Sequence, residues 1–264
     1  MLVIGENING SSPKIRNAVK NRDENFILSL AKAQLDSGCH YIDICSSSPY
    51  ENEYDDLMWM ISLLKYELNA PLCVDSPYED VLVKIIDSGV LPEDTFINSV
   101  SMEKNKCERL FSAIKDSNIS VICMSSDDYG IGRGLTGRMR IMKDIVSFAD
   151  RIGVSHEKLY ADFCMEAVCL KKDALSEYIS CMRSLKEFAP DVNTFAAVSN
   201  ISYAMPSRKI INRSALGILL WENVDCIMIN PTDKGLTEEM YAFGALSGND
   251  PYGRIYNRYC REQK

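Results

Sequence analysis

The chain has 264 residues, a net charge of −8 and a hydrophobic share of 46%. That length suits one barrel-sized domain of roughly 250 residues, and an acidic chain without a block of Lys and Arg argues against a nucleic-acid backbone as partner. No apolar run approaches the ~18 residues of a membrane span, and the opening MLVIG reads as a strand without the flanks of a secretory signal, so a soluble, cytoplasmic protein is expected.

In chain order, eight short apolar runs each end in small polar or acidic residues, and an amphipathic stretch follows each one. The ends are IGENING (4–10), IDICSSSP (42–49), CVDSP (73–77), INSVS (97–101), CMSSDD (123–128), ADF (161–163), VSNIS (198–202) and INPTD (229–233). Phe26, Ile27, Leu30, Ala31 and Leu35 give a helical face over 25–37 that Gly38 stops. Ile85 and Ile86 lead to Gly89, Leu110, Phe111 and Ile114 precede SVICMSS, and Ile145 to Ile152 lead to Gly153. Leu175, Tyr178, Ile179, Met182 and Leu185 form the next stripe, closed by Pro190, and a further helix runs from Ile210 to Trp221. This grammar predicts an α/β fold, a single eight-stranded (β/α)8 TIM barrel over 1–264, with residues 247–264 as a C-terminal extension.

In such a barrel the carboxyl ends of the strands form the site. Alternation places Asp43 and Cys45 on one face of the second strand, with Ile42 and Ile44 toward the helices. Asp75 shares the face of Cys73, Asn98 ends the fourth strand, Asp162 the sixth and Asn200 the seventh. An acid at a strand end stays charged there only if it is paired or meets a ligand donor. Three carboxylates and two amides suit a flat ring edge that presents N–H and amino donors beside acceptors, as pterins and guanine-like rings do. GIGRG (130–134) lacks the Lys-Ser/Thr of a phosphate loop and reads as a mobile loop. Ten scattered cysteines without a CxxC pair read as small core residues, and His40 and His156 as surface or loop residues.

IGENING, LCVDS, INSVS, LYAD and VSNIS followed by SRKIINRSAL resemble the methyltetrahydrofolate:corrinoid protein methyltransferases, pterin-binding barrels related to dihydropteroate synthase. The resemblance runs from Leu2 to about Asp233. It implies that Asp75, Asn98 and Asp162 hold the pterin edge, with Asp43 deeper and supporting them. It further implies that Asn200 is catalytic beside nitrogen 5 of the folate, with Ser199 adjoining, and that Arg208 lies near the outer part of the folate. Tetrahydrofolate or 5-methyltetrahydrofolate would be the small-molecule substrate. The corrinoid would be carried by a partner protein, with no intrinsic metal and a homodimeric assembly. The expected role is to move a methyl group between the corrinoid protein and nitrogen 5 of the folate, a reaction the same site serves in both directions, and the serine-rich end of the second strand and ADFCME lean toward the second methyltransferase of an anaerobic demethylation pathway.

Two positions depart from the family pattern. Cys45, followed by Ser46, Ser47 and Ser48, stands where the family usually reads Asp-x-Asn, and Phe163 stands where a proline tends to follow the sixth-strand aspartate. Cys45 and Cys164, with Cys169 as a third, support a rival zinc-thiolate methyltransferase. A dihydropteroate synthase-like enzyme and a non-catalytic folate binder are further alternatives. Each site residue also has a structural reading: Asp43 as an acid bonded to backbone, Asn98 as a helix cap, Asn200 in a turn and Arg208 in a surface ion pair.

Overall fold

The computed structural model describes residues 1–103 and 106–262. Eight parallel strands close into a barrel: β1 (Leu2–Asn9), β2 (Tyr41–Cys45), β3 (Leu72–Asp75), β4 (Phe96–Val100), β5 (Ser120–Met124), β6 (Leu159–Asp162), β7 (Asn193–Ala197) and β8 (Cys226–Ile229). Each pairs with its neighbours in sequence, and β1 pairs with both β2 and β8 to close the ring. All eight expected strands are present, and the barrel is the expected (β/α)8 architecture.

The helices begin and end where local chemistry says they should. Asp23 caps α2 (Glu24–Asp36) by accepting from the Phe26 amide at 3.1 Å, and Gly38 follows with φ +88°. Helix α3 (Tyr50–Leu68) ends on Asn69 in the left-handed region, and α6 (Gly134–Ile152) on Gly153. Helix α7 (Ala174–Phe188) stops two residues before Pro190, and α8 spans Arg208–Trp221. A short α1 (Pro13–Lys20), α4 (Glu79–Asp87) and α5 (Lys106–Ile114) complete the ring up to α8, and α9 (Lys234–Leu246) closes it. Among the described residues no helix is long and apolar enough to cross a membrane.

Two of the sequence expectations change. GIGRG is no loose loop: Gly130–Ile131 pairs antiparallel with Ser126–Asp127, and Gly134 opens α6. A side chain on Gly132 would sit 2.6 Å from the Arg138 amide, so glycine is required by the close approach of the hairpin to the helix. The seventh strand stops at Ala197, and Val198–Ser202 forms a 3-10 turn that carries Asn200. The expected extension folds as α10 (Arg254–Glu262), held to α9 by stacking of Tyr241 on Tyr259 at 4.2 Å, while its residues 263–264 lie outside the described residues.

Alternation divides the apolar residues into two cores. Ile42, Ile44, Val74, Ile97 and Val121 face the helices and are fully buried, each worth roughly 1.5–3 kcal/mol of burial. Inside the barrel the side chains stack in layers from alternate strands, as closed parallel barrels require. The lowest layer is Tyr41, Phe96, Tyr160 and Cys226 from the even strands, with Phe96 edge-on to both tyrosines at 4.7 Å. Above it lie Ile4, Cys73, Ile122 and Phe195 from the odd strands. Two residues further along, acids and an amide interrupt the apolar filling on five of the eight strands, and the site begins.

Candidate functional site

The next two layers are Asp43, Asn98, Asp162 and Met228, then Glu6, Asp75, Met124 and Ala197, and all eight line one cavity of about 1200 Å³ at the carboxyl end of the barrel. The β-ladder register sets Cys45, Asp75 and Asn98 side by side across β2, β3 and β4. The cavity also takes in Ser199, Asn200 and Arg208, so the structure gathers every site residue expected from the sequence around one mouth.

Burial makes these acids reluctant to ionise. Asp43 is 1% exposed, and its Oδ1 finds no hydrogen-bond donor. Desolvation and then the neighbouring Asp75 carboxylate push its pKa far up, opposed by hydrogen bonding from Cys73 and Asn98. Desolvation likewise raises Asp75 to about 6, with hydrogen bonding from Cys45 opposing it and the Glu53 carboxylate adding to it. Asp162 is raised by burial to about 6, against the pull of the Cys164 amide, the Tyr178 hydroxyl and the Arg138 guanidinium. Burial thus holds all three acids back from ionising, Asp43 the most strongly.

The geometry around each residue decides between its readings. Asn98 lies within β4, eight residues before α5 starts, so it does not cap that helix. Asp162 Oδ1 accepts from the Cys164 amide at 2.8 Å and from the Tyr178 hydroxyl at 3.1 Å, and Tyr178 also donates to the Phe195 carbonyl. Among the described residues Arg208 makes no surface ion pair: its Nη2 donates to the Ser199 carbonyl at 2.7 Å and its Nε to Ser202 Oγ at 3.0 Å, clamping the turn that carries Asn200. His40 accepts from the Val3 amide through Nδ1, and His156 pairs with Asp150, both away from the mouth.

The serine run after β2 is held from α3. Glu53, fully buried in the first turn of that helix, accepts from Ser46 Oγ and from the Ser48 amide at 3.0 Å, and Ser48 Oγ donates to Asp56, itself paired with Arg22 at 2.6 Å. Ser47 is forced to φ +50° and lines the cavity. Of the cysteines on which the zinc reading rests, Cys45 lies 3.4 Å from Ser47 Oγ, Cys164 3.8 Å from Ser125 Oγ, and exposed Cys169 donates to the Tyr203 carbonyl. Among the described residues no three His, Cys, Asp or Glu side chains are grouped to hold a metal ion. Burial also lifts the Cys164 thiol to about 12.

Four residues were missed in the sequence: Glu6, Glu53, Arg138 and Tyr178. Glu6 carried a signal, because it follows inward-facing Ile4 by the same two-residue step that separates Cys73 from Asp75. Ile8 masks that signal by turning outward after a bulge in the β1–β2 register between Gly5 and Ile8. Gln34, fully buried, accepts from the Asn7 amide at 3.0 Å and fills the bulge.

A closed parallel barrel with acids and amides gathered at the carboxyl ends of its strands defines a protein with a polar binding cavity at one mouth. Residues 6–220 match the family model described as pterin binding enzyme, and the chain belongs to that family. It is 29% identical over 266 aligned residues to the methylcorrinoid:tetrahydrofolate methyltransferase of Eubacterium limosum, covering 100% of this chain and 97% of that protein. It is 25% identical over 226 residues to the methionine synthase of Mycobacterium tuberculosis, 80% of this chain but 19% of that longer protein. Among solved structures, the Yersinia pestis dihydropteroate synthase in a sulfonamide drug complex superposes with a TM-score of 0.71 at 15% identity over 94% of each chain. The Xanthomonas albilineans enzyme with 7,8-dihydropteroate gives 0.68 at 14% identity, over 93% of this chain and 92% of that one. At such identities these two show the shared barrel alone.

Proposed function

We propose that this chain is a methyltransferase that moves a methyl group between a corrinoid on a separate protein and nitrogen 5 of tetrahydrofolate, working in the direction of folate methylation. The observation that carries this is the end-to-end match to the Eubacterium limosum enzyme, joined to a mouth whose acids and amides line one cavity. In this reading Asp75 and Asp162 accept from the N–H and amino donors of the pterin edge, and Asn98 serves its neighbouring atoms through an amide that both donates and accepts. Asp43, deeper and the most strongly biased toward its neutral form, supports Asp75. Asn200 lies beside nitrogen 5, where its amide can follow the change in charge without changing its own. Ser199 adjoins Asn200, and Arg208 meets the outer part of the folate. The open mouth leaves room for a bulky corrinoid to approach in line with the bound folate.

Calorimetry with tetrahydrofolate and a cobalt-absorbance assay with methylcobalamin, run in both directions, test the proposal. Wild-type protein should bind the folate and exchange the methyl group. Asn200→Ala should slow transfer by on the order of 100-fold while weakening folate binding far less. Failure of tetrahydrofolate to bind, or binding without any exchange, refutes the reading.

A further inference from the structure

Methylation of nitrogen 5 has a proton to dispose of, and none of the residues assigned above takes it. The nitrogen 5 lone pair forms the new N–C bond while the carbon–cobalt bond breaks, both of its electrons staying on cobalt. Nitrogen 5 begins with one hydrogen, so it becomes a four-substituent cation that must release a proton to return to the neutral product. Asn200 has no proton to exchange, and Asp75 and Asp162 are engaged at the other edge of the ring. Resting on the methyltransferase reading, we propose that Glu6 is the residue that takes this proton, and that returns it when the reaction runs backward.

The placement of Glu6 carries the proposal. It stands on β1 in the same inward layer as Asp75, lines the mouth and is half-buried. Strand β8 alone separates β1 from β7, and Ser199 bridges that gap by donating its hydroxyl to Glu6 Oε2 at 2.9 Å. Ser199 is the residue next to Asn200, so the carboxylate is tied to the turn that faces nitrogen 5, and its other oxygen, Oε1, is left for the substrate. Among the described residues the charged groups that face Glu6 are few: Arg208 from α8, which favours its ionised form, and Asp43 from β2, whose own ionisation the Glu6 carboxylate disfavours. Burial raises its pKa above the ordinary carboxylate range, with the Ser199 hydrogen bond and Arg208 pulling it down, which brings a carboxylate nearer the pH where a general base is most effective. The Glu6 carboxylate accepts the N–H proton through Oε1 after the N–C bond forms, and the resulting carboxylic acid loses it to solvent through the open mouth.

Single-turnover rates in both directions, measured between about pH 5 and 9 with methylcobalamin or cob(I)alamin as the corrinoid, test this. In the wild type, folate methylation should rise with pH through one midpoint and the reverse transfer should fall through it. Glu6→Gln keeps the shape and removes the base: it should lower both rates on the order of 100-fold and flatten the pH dependence while tetrahydrofolate affinity changes far less. Ser199→Ala keeps the carboxylate and removes the donor that lowers its pKa, so its midpoint should move up. A Glu6→Gln protein that binds tetrahydrofolate and keeps the wild-type rate and midpoint overturns the assignment. Should that variant lose folate binding, an unmoved midpoint in Ser199→Ala overturns it instead. Wild-type protein that binds the folate and exchanges no methyl group overturns the functional reading itself, and the role of Glu6 with it.

Discussion

Replacing Tyr178 with Phe removes one oxygen from a fully buried side chain and leaves the ring to pack as before against Phe163, 6.1 Å away edge-on. That oxygen sits between Asp162 Oδ1 and the Phe195 carbonyl. A phenol has one proton to give. When Asp162 is ionised, carboxylate and carbonyl compete for it; when Asp162 is protonated, the acid can donate to the phenol and the phenol to the carbonyl. A hydrogen bond to a charged group is worth about 1.5–3 kcal/mol, and about 1.4 kcal/mol corresponds to one pKa unit. Sharing the proton with Phe195 takes the lower end, so the substitution should lift Asp162 by roughly one unit from its value of about 6. If the pterin edge needs the ionised carboxylate, tetrahydrofolate affinity should then fall about fivefold at pH 6 and hardly at all at pH 8. Anaerobic calorimetric titration at both pH values reads this directly. A loss of equal size at the two pH values would show that Tyr178 acts only by packing, and a gain in affinity, larger at pH 8 than at pH 6, would show that the protonated acid is the binding form.

The remaining predictions concern stability. Asp75 and Asp162 have folded pKa values near 6 against 3.8 for the unfolded chain, so their contribution is fully present below about pH 4 and is lost as pH rises through about 6, by up to roughly 3 kcal/mol each. Asp127, Asp233 and Asp250 are shifted the other way, but they titrate below that window. The urea midpoint of the ligand-free protein should therefore be higher at pH 5 than at pH 8, and Asp162→Asn should flatten the trend; a midpoint that rises with pH would contradict the burial of these acids. Gly10→Ala would place a methyl group 1.9 Å from the Ser46 carbonyl, so β1 and the serine run must move apart at a cost of about 2–3 kcal/mol. A urea midpoint within error of wild type would show that the two loops are not locked together.

How much of this was legible depends on how local each signal is. Ile42, Asp43, Ile44 and Cys45 spell out which way β2 faces, because the two-residue period and the sharp contrast between Ile and Asp lie within one strand. The inward direction of Asp75 and Asp162 followed in the same way. Glu53 was illegible for the opposite reason. In the run YENEYDD it looks like any acid of a solvated first helical turn, and only the fold of the serine run back over α3 buries it. Tyr178 fitted the apolar stripe of α7 so well that its hydroxyl carried no separate signal. Its partners, Asp162 and the Phe195 carbonyl, lie 16 and 17 residues away on two different strands.

The same comparison explains why this barrel is built against its own stability at one end. Lower in the barrel, each layer fills with side chains such as Ile4, Phe96 and Phe195 that need no partner. Two layers higher, the identical backbone positions hold Glu6, Asp43, Asp75 and Asp162, whose burial opposes ionisation at every site. The Oδ1 oxygen of Asp43 lacks any donor at all. Packing gives no reason to place four acids in adjoining layers, since apolar residues there would continue the core at a gain of about 1.5–3 kcal/mol each. The arrangement makes sense when a ligand supplies the missing donors, so binding should recover part of what the empty mouth forgoes. Tetrahydrofolate should accordingly stabilise the protein more at pH 8, where Asp75 and Asp162 are ionised, than at pH 5, and a thermal shift that is larger at the acidic pH would refute that account.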